Sequence, residues 1–229
     1  MKSNKTKVLL VLAICLVVAV VSIFFLTNSV NGQTDYSRIT HQDFNFQFNG
    51  KTIRGVAAFP DQMKRFPGIL VLNPVGMGTI DNFARKGFFA VRIDFRDEKD
   101  CKEAIKQIRL HNRCTGKAGV TGFSFGGALS MVIAAKNHNV HAVVEAAGLL
   151  HPMNNIDLSK DMYAAVLFIS GENDNAVSPD ATRKMYEDLK KGGRPAEIYI
   201  VPGQGHGFSH EYNEIVFKKS VDFFRKHLR

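Results

Sequence analysis

Apolar residues fall along this chain in three rhythms, and each predicts a different element. From Val8 to Leu26 the run is apolar all round, with Ser22 its one polar residue. Phe44, Phe46 and Phe48 then alternate with Asn45, Gln47 and Asn49, the period of two of a half-buried strand. Asn49-Gly50 is a hairpin-turn signal, and Lys51 to Phe59 returns as a second strand. Mostly apolar runs follow at Pro67–Leu72, Phe88–Ile93, Lys117–Thr121, Ala142–Val144, Ala165–Ile169 and Glu197–Val201. Such runs suit strands covered on both faces, as in a parallel sheet.

Helical spacing alternates with these runs. Asn82–Lys86 is short, and Lys99–His111 carries a stripe at Ala104, Ile105, Ile108 and Leu110. Ala128–Ala135 is helical in composition. Ser178 as N-cap and Pro179 at the first helical position start another helix, which Gly192-Gly193 ends. Phe217, Val221, Phe224 and Leu228 recur at helical spacing in the last segment, a face that packs on a sheet. The alternation predicts one doubly wound α/β domain over residues 44–229, a mostly parallel sheet of about eight strands opened by the antiparallel hairpin.

The N-terminus is separate. Lys2, Lys5 and Lys7 precede the apolar run, whose 19 residues are just long enough to span a bilayer and longer than a usual cleavable core. Residues 1–30 are expected to be a membrane anchor or signal segment, with the remainder exported, and 31–43 a polar tether. The net charge of +9 is scattered, with small clusters at Lys190-Lys191 and Lys218-Lys219, and reads as a basic solvated surface. No nucleic-acid, metal or cofactor motif is present in the sequence. Cys101 and Cys114 bracket a helix that holds them roughly 15–20 Å apart at 1.5 Å per residue, so both are expected to be reduced. Oligomeric state is left open.

The chemistry gathers in Gly122-Phe123-Ser124-Phe125-Gly126-Gly127, between a strand and a helix. A serine on that sharp turn has its hydroxyl held out, and the following helix aims free N–H groups at a developing oxyanion. A serine hydroxyl needs a base. Strand 165–170 ends in Gly171-Glu172-Asn173-Asp174, and strand 197–201 in Pro202-Gly203-Gln204-Gly205-His206-Gly207-Phe208. Functional groups collect at carboxyl ends of such strands, so His206 is expected to be the base and Asp174 its orienting acid. His210 rivals His206. Glu172 and Asp180 rival Asp174, although Asp180 suits the first turn of a helix. Glu145 is a weaker alternative acid.

Together Gly-Phe-Ser-Phe-Gly-Gly, Ser170-Gly171-Glu172-Asn173-Asp174 and Gly205-His206-Gly207-Phe208 resemble the motifs of the α/β-hydrolase superfamily. The resemblance is strongest to dienelactone hydrolase-type proteins and covers roughly residues 45–229. It implies the α/β-hydrolase fold without a large cap domain, and hydrolysis of a small acyl substrate with no cofactor. Dienelactone hydrolases proper use a cysteine nucleophile; Ser124 favours a carboxylic ester or thioester over a lactone. The first oxyanion loop contains Pro74, which has no N–H to donate. The backbone N–H groups of Val75 and Phe125 are therefore the expected donors. Met77, Phe125, Met153 and Phe208 are candidates for an apolar acyl pocket. A peptidase, an acyltransferase, or an exported binding protein that has lost turnover are the competing expectations.

Overall fold

The computed structural model describes residues 35–72, 78–150 and 155–229, which belong to the compact unit Asp35–Arg229. The expected membrane-directed segment 1–30 lies outside the described residues. Among the described residues, no helix is long and apolar enough to cross a membrane.

Among the described residues ten strands and six helices follow in order: β1 (Ile39–Asp43), β2 (Phe46–Phe48), β3 (Lys51–Ile53), β4 (Gly55–Pro60), β5 (Phe66–Leu72), α1 (Ile80–Arg85), β6 (Phe89–Ile93), α2 (Glu98–Leu110), β7 (Cys114–Phe123), α3 (Phe125–Ala134), β8 (Ala142–Ala146), α4 (Leu158–Asp161), β9 (Ala165–Gly171), α5 (Pro179–Lys191), β10 (Ala196–Val201) and α6 (His210–His227). The main sheet has eight strands in the order β1-β4-β6-β5-β7-β8-β9-β10. Only β4 runs against the others, because it pairs antiparallel with both β1 and β6.

The continuous apolar runs are explained by two cores, one on each face. Leu70, Leu72, Val91, Val143 and Phe168 point to one side, against Ile105 and Ile108 of α2, Met131 of α3 and Leu189 of α5. Ile69, Val71, Ala90, Val144 and Ile169 point to the other, against Phe83 of α1 and Val221 and Phe224 of α6. Alternate residues of one strand therefore serve opposite layers, and no polar phase survives in the sequence. Cys101 and Cys114 are free and buried.

Two expectations at the N-terminal side are corrected. The tether was expected to reach residue 43, but Ile39–Asp43 is an edge strand that pairs with β4 from Ile39↔Pro60 to Asp43↔Val56. Its side chains are mostly exposed, so no apolar period marks it. The hairpin predicted over 44–59 is real only as far as Ile53, where β2 and β3 form a separate two-stranded sheet. The chain breaks at Arg54, and Gly55 enters the main sheet so close to β6 that a Cβ there would lie 2.6 Å from the Arg92 carbonyl oxygen. Period two identifies a strand but not its partner.

After β5 the chain steps to β6 on one side, then crosses back to β7 and continues outward through β10. The order reverses between β5 and β7, and in open α/β sheets the carboxyl ends of the strands at such a reversal are where ligands bind.

Candidate active site

Ser124 leaves the end of β7 with φ 53° and ψ −117°, a strained left-handed conformation for a residue with a side chain. Such strain costs on the order of 1–3 kcal/mol and persists only where the surroundings impose it. Here the Ser124 N–H donates to the Ala146 carbonyl at 2.8 Å, and the Ala128 N–H returns to the Ser124 carbonyl at 3.0 Å. The turn is tight: a Cβ on Gly122 would lie 2.4 Å from the Gly126 carbonyl carbon and oxygen. Ser124 makes no side-chain cap to α3, so its hydroxyl stays available for other partners.

That hydroxyl meets the imidazole. Ser124 Oγ lies 2.9 Å from His206 Nε2. His206 Nδ1 lies 2.8 Å from Asp174 Oδ2. Asp174 is only 3% exposed, and its other oxygen accepts the N–H groups of Ala176 at 2.8 Å and Val177 at 2.9 Å. One carboxylate oxygen thus fixes the loop after β9, and the other faces the histidine.

The two loops meet because of Gly171. A Cβ there would sit 2.2 Å from the Gly205 carbonyl oxygen and 2.4 Å from that of Gln204. The loop after β10 therefore lies directly on the end of β9. Glu172 N–H donates to Val201 O at 3.0 Å, and Asn173 N–H to Gln204 O at 2.8 Å. The Glu172 carboxylate accepts the Gly203 N–H at 2.8 Å. The ring of Phe123 packs against His206 at 5.3 Å and against Phe208 at 6.0 Å.

The rival residues are placed elsewhere. Glu172 is used by the Gly203 turn. Asp180 sits in the first turn of α5, with its side chain 93% exposed. His210 is exposed at the start of α6. Glu145 is buried under α3, and one of its oxygens accepts the Gly148 N–H. Burial pushes its carboxyl up to about 8, and only the Gly148 N–H pulls it back.

Of the expected oxyanion donors, Phe125 opens α3, whose first N–H groups have no acceptor within the helix. Val75, together with Met77 and Met153 of the expected pocket, lies outside the described residues. Phe125 is 69% exposed and Leu149 44%, so two large apolar side chains stand in solvent on segments adjoining Ser124 and Ala146. Phe208 is half-buried. Among the described residues, no group of His, Cys, Asp and Glu could hold a metal ion.

Comparison with known proteins gives a consistent family. Residues 94–223 match the model of the dienelactone hydrolase family. A protein of Escherichia coli (strain K12) described as a "Putative carboxymethylenebutenolidase" is 30% identical over 100 residues, covering 41% of this chain and 37% of that protein. The chain thus matches little more than a third of that relative's length. A structure from Klebsiella pneumoniae described as a "Putative Dienelactone Hydrolase" superposes with a TM-score of 0.70 at 18% identity, covering 83% of this chain and all of that one. The acylaminoacyl peptidase of Pyrococcus horikoshii superposes at 0.71 and 18% identity, over 84% of this chain and 42% of its own. Likeness at that identity establishes the shared α/β-hydrolase fold alone.

Proposed function

The chain belongs to the dienelactone hydrolase family, and from that premise we propose that it is a serine hydrolase cleaving a carboxylic ester or thioester through an acyl-enzyme on Ser124. The observation that carries the reading is the unbroken chain of contacts, Ser124 Oγ to His206 Nε2 at 2.9 Å and His206 Nδ1 to Asp174 Oδ2 at 2.8 Å. Three separate strand ends supply these groups, and structural packing alone does not require that order.

In this mechanism His206 Nε2 takes the Ser124 proton as Oγ bonds to the substrate carbonyl carbon. The carbonyl π electrons move onto oxygen, which the N–H groups of Phe125 and Val75 receive. Collapse of the tetrahedral adduct breaks the bond to the alkoxide or thiolate, and His206 gives that group its proton. A water then enters, His206 takes one of its protons, and attack on the acyl carbon releases the acid and returns the proton to Ser124. Asp174 keeps the Nδ1 proton in place and stabilises the imidazolium at both stages. The exposed side chains of Phe125 and Leu149 support an apolar acyl group. In the same reading, residues 1–30 carry the domain out of the cytoplasm as an anchor or a cleaved signal, and the intact mass of the purified protein distinguishes the two.

Treatment with a fluorophosphonate probe and a short-chain nitrophenyl ester tests the reading. The native protein is expected to be labelled and to turn over the ester, whereas Ser124→Ala is not labelled and loses about 10⁶ in kcat. A folded native protein that neither labels nor turns over would favour a binding protein. Activity on peptides but not esters would assign the same residues to a peptidase.

A further inference from the structure

Glu145 is the penultimate residue of β8, directly across from Gly122 of β7. Paired residues of neighbouring strands point to the same face, so its side chain lies on the α3 side, beneath the nucleophile turn. A Cβ on Gly127 in the first turn of α3 would lie 3.1 Å from its Oε1, and one on Gly148 would lie 2.9 Å away. Oε1 accepts the Gly148 N–H. Oε2 is buried and has no hydrogen-bond partner among the described residues. The chain beyond is held in an unusual shape: Ala147 has φ 50°, and its N–H donates to Ile169 O at 2.8 Å. The residue between them, Ala146, receives the Ser124 N–H. One buried carboxyl therefore touches both the helix that starts at the nucleophile and the turn that holds the nucleophile's backbone.

A carboxylate needs several donors to offset its lost hydration, and among the described residues this one has a single N–H. Among the described residues, the elements packed against it supply no cation. α3 and residues 147–150 carry no titratable side chain, and neither does β9. β7 has Cys114 and Lys117, both towards its opposite end. At the rim, Glu172 is engaged by Gly203 and Asp174 by His206. The neutral acid is the form this site favours, in agreement with the upward displacement that burial causes.

We propose that Glu145 is a positioning residue that, as the neutral acid, holds the Ala147–Gly148 turn against the first turn of α3, and that loss of its proton lowers the rate by placing negative charge behind the oxyanion site. This rests on the serine-hydrolase reading above. A serine, histidine and aspartate set alone gives a rate that rises with pH and then stays level. The ionised carboxyl opposes the charge that develops on the substrate oxygen; at an effective dielectric constant near 20, two like charges roughly 6–12 Å apart repel enough to cost about 10–100-fold.

The test is the pH profile of kcat for a nitrophenyl ester, corrected for spontaneous hydrolysis, beside the rate of fluorophosphonate labelling. The native enzyme should lose both above about pH 8, with KM little changed, while Glu145→Gln keeps its neutral-pH rate and stays level to higher pH. A level native profile, or the same alkaline fall in Glu145→Gln, overturns the proposal. Should Glu145→Gln fail to fold, carbon NMR of native protein carrying labelled glutamate carboxyls decides. A carboxyl titrating together with the loss of rate and far above the other glutamates supports the role, and its absence rejects it. A native enzyme inert at every pH would sink the hydrolase reading and this proposal together, whereas an active one without the alkaline fall sinks this proposal alone.

Discussion

Asp174 divides its two oxygens between the loop after β9 and His206, and a single atom change separates them. Asn at 174 can still accept the Ala176 and Val177 N–H groups through Oδ1. Its amide nitrogen would then donate to His206 Nδ1 and force the proton onto Nε2, the tautomer that cannot act as base towards Ser124. Asp174→Asn is expected to retain its melting temperature and lose about 10⁴ in kcat with KM little altered, as steady-state kinetics would show. Glu145 adds a stability effect of opposite origin. Its folded-state carboxyl is pushed up to about 8 from an ordinary 4.5. Between those values the unfolded chain has already released the proton that the native protein keeps, so stability falls as pH rises and levels off above about 8. Urea unfolding should show the native protein losing a few kcal/mol relative to Glu145→Gln between pH 5 and pH 8. Ser124 was legible as a residue because its sharp turn leaves no room for a Cβ at Gly122 or Gly127 on either side. Glu145 was legible only as a spare acid, since its isolation depends on what packs around it.

At the scale of elements, the punctuation read from the chain is used as written. Ser178 caps α5, its hydroxyl accepting the Ala181 N–H at 3.2 Å, and Pro179 occupies the first turn. Ser178→Ala should cost about 1 kcal/mol in urea unfolding while leaving the site intact. Thr79 forms a reciprocal cap with Asn82 at α1, which starts two residues before its expected position. The strand 117–121 grows at both ends to Cys114–Phe123, because pairing with β5 and β8 extends beyond the apolar stretch. α4, four residues long with Leu158 buried, left no periodic trace in the sequence. An element that short fixes too few positions for a period to register.

Across the whole molecule, α6 seals one face of the sheet that carries the site. Phe224 is fully buried and meets Phe83 at 6.0 Å and Phe88 at 6.2 Å. Phe224→Ala should lower stability by about 3–5 kcal/mol. Well below its lowered melting temperature it should retain most of its kcat, because Ser124, Asp174 and His206 stand on the ends of β7, β9 and β10 rather than on α6. Calorimetry and an activity assay on one sample check both halves. The amino-acid order by itself determined the alternation of strand and helix, the eight-stranded scale of the sheet and the candidate groups of the site. Each of these is a local property: burial on both faces, cap chemistry and the sterics of one turn act over a few neighbouring residues. Tertiary structure alone decided that residues 39–43 close the sheet edge, that the hairpin stands apart from it, and that Glu145 is enclosed with no cation among the described residues. Those outcomes depend on which distant backbone supplies a pairing edge and which side chains exclude water, and no local rhythm encodes either.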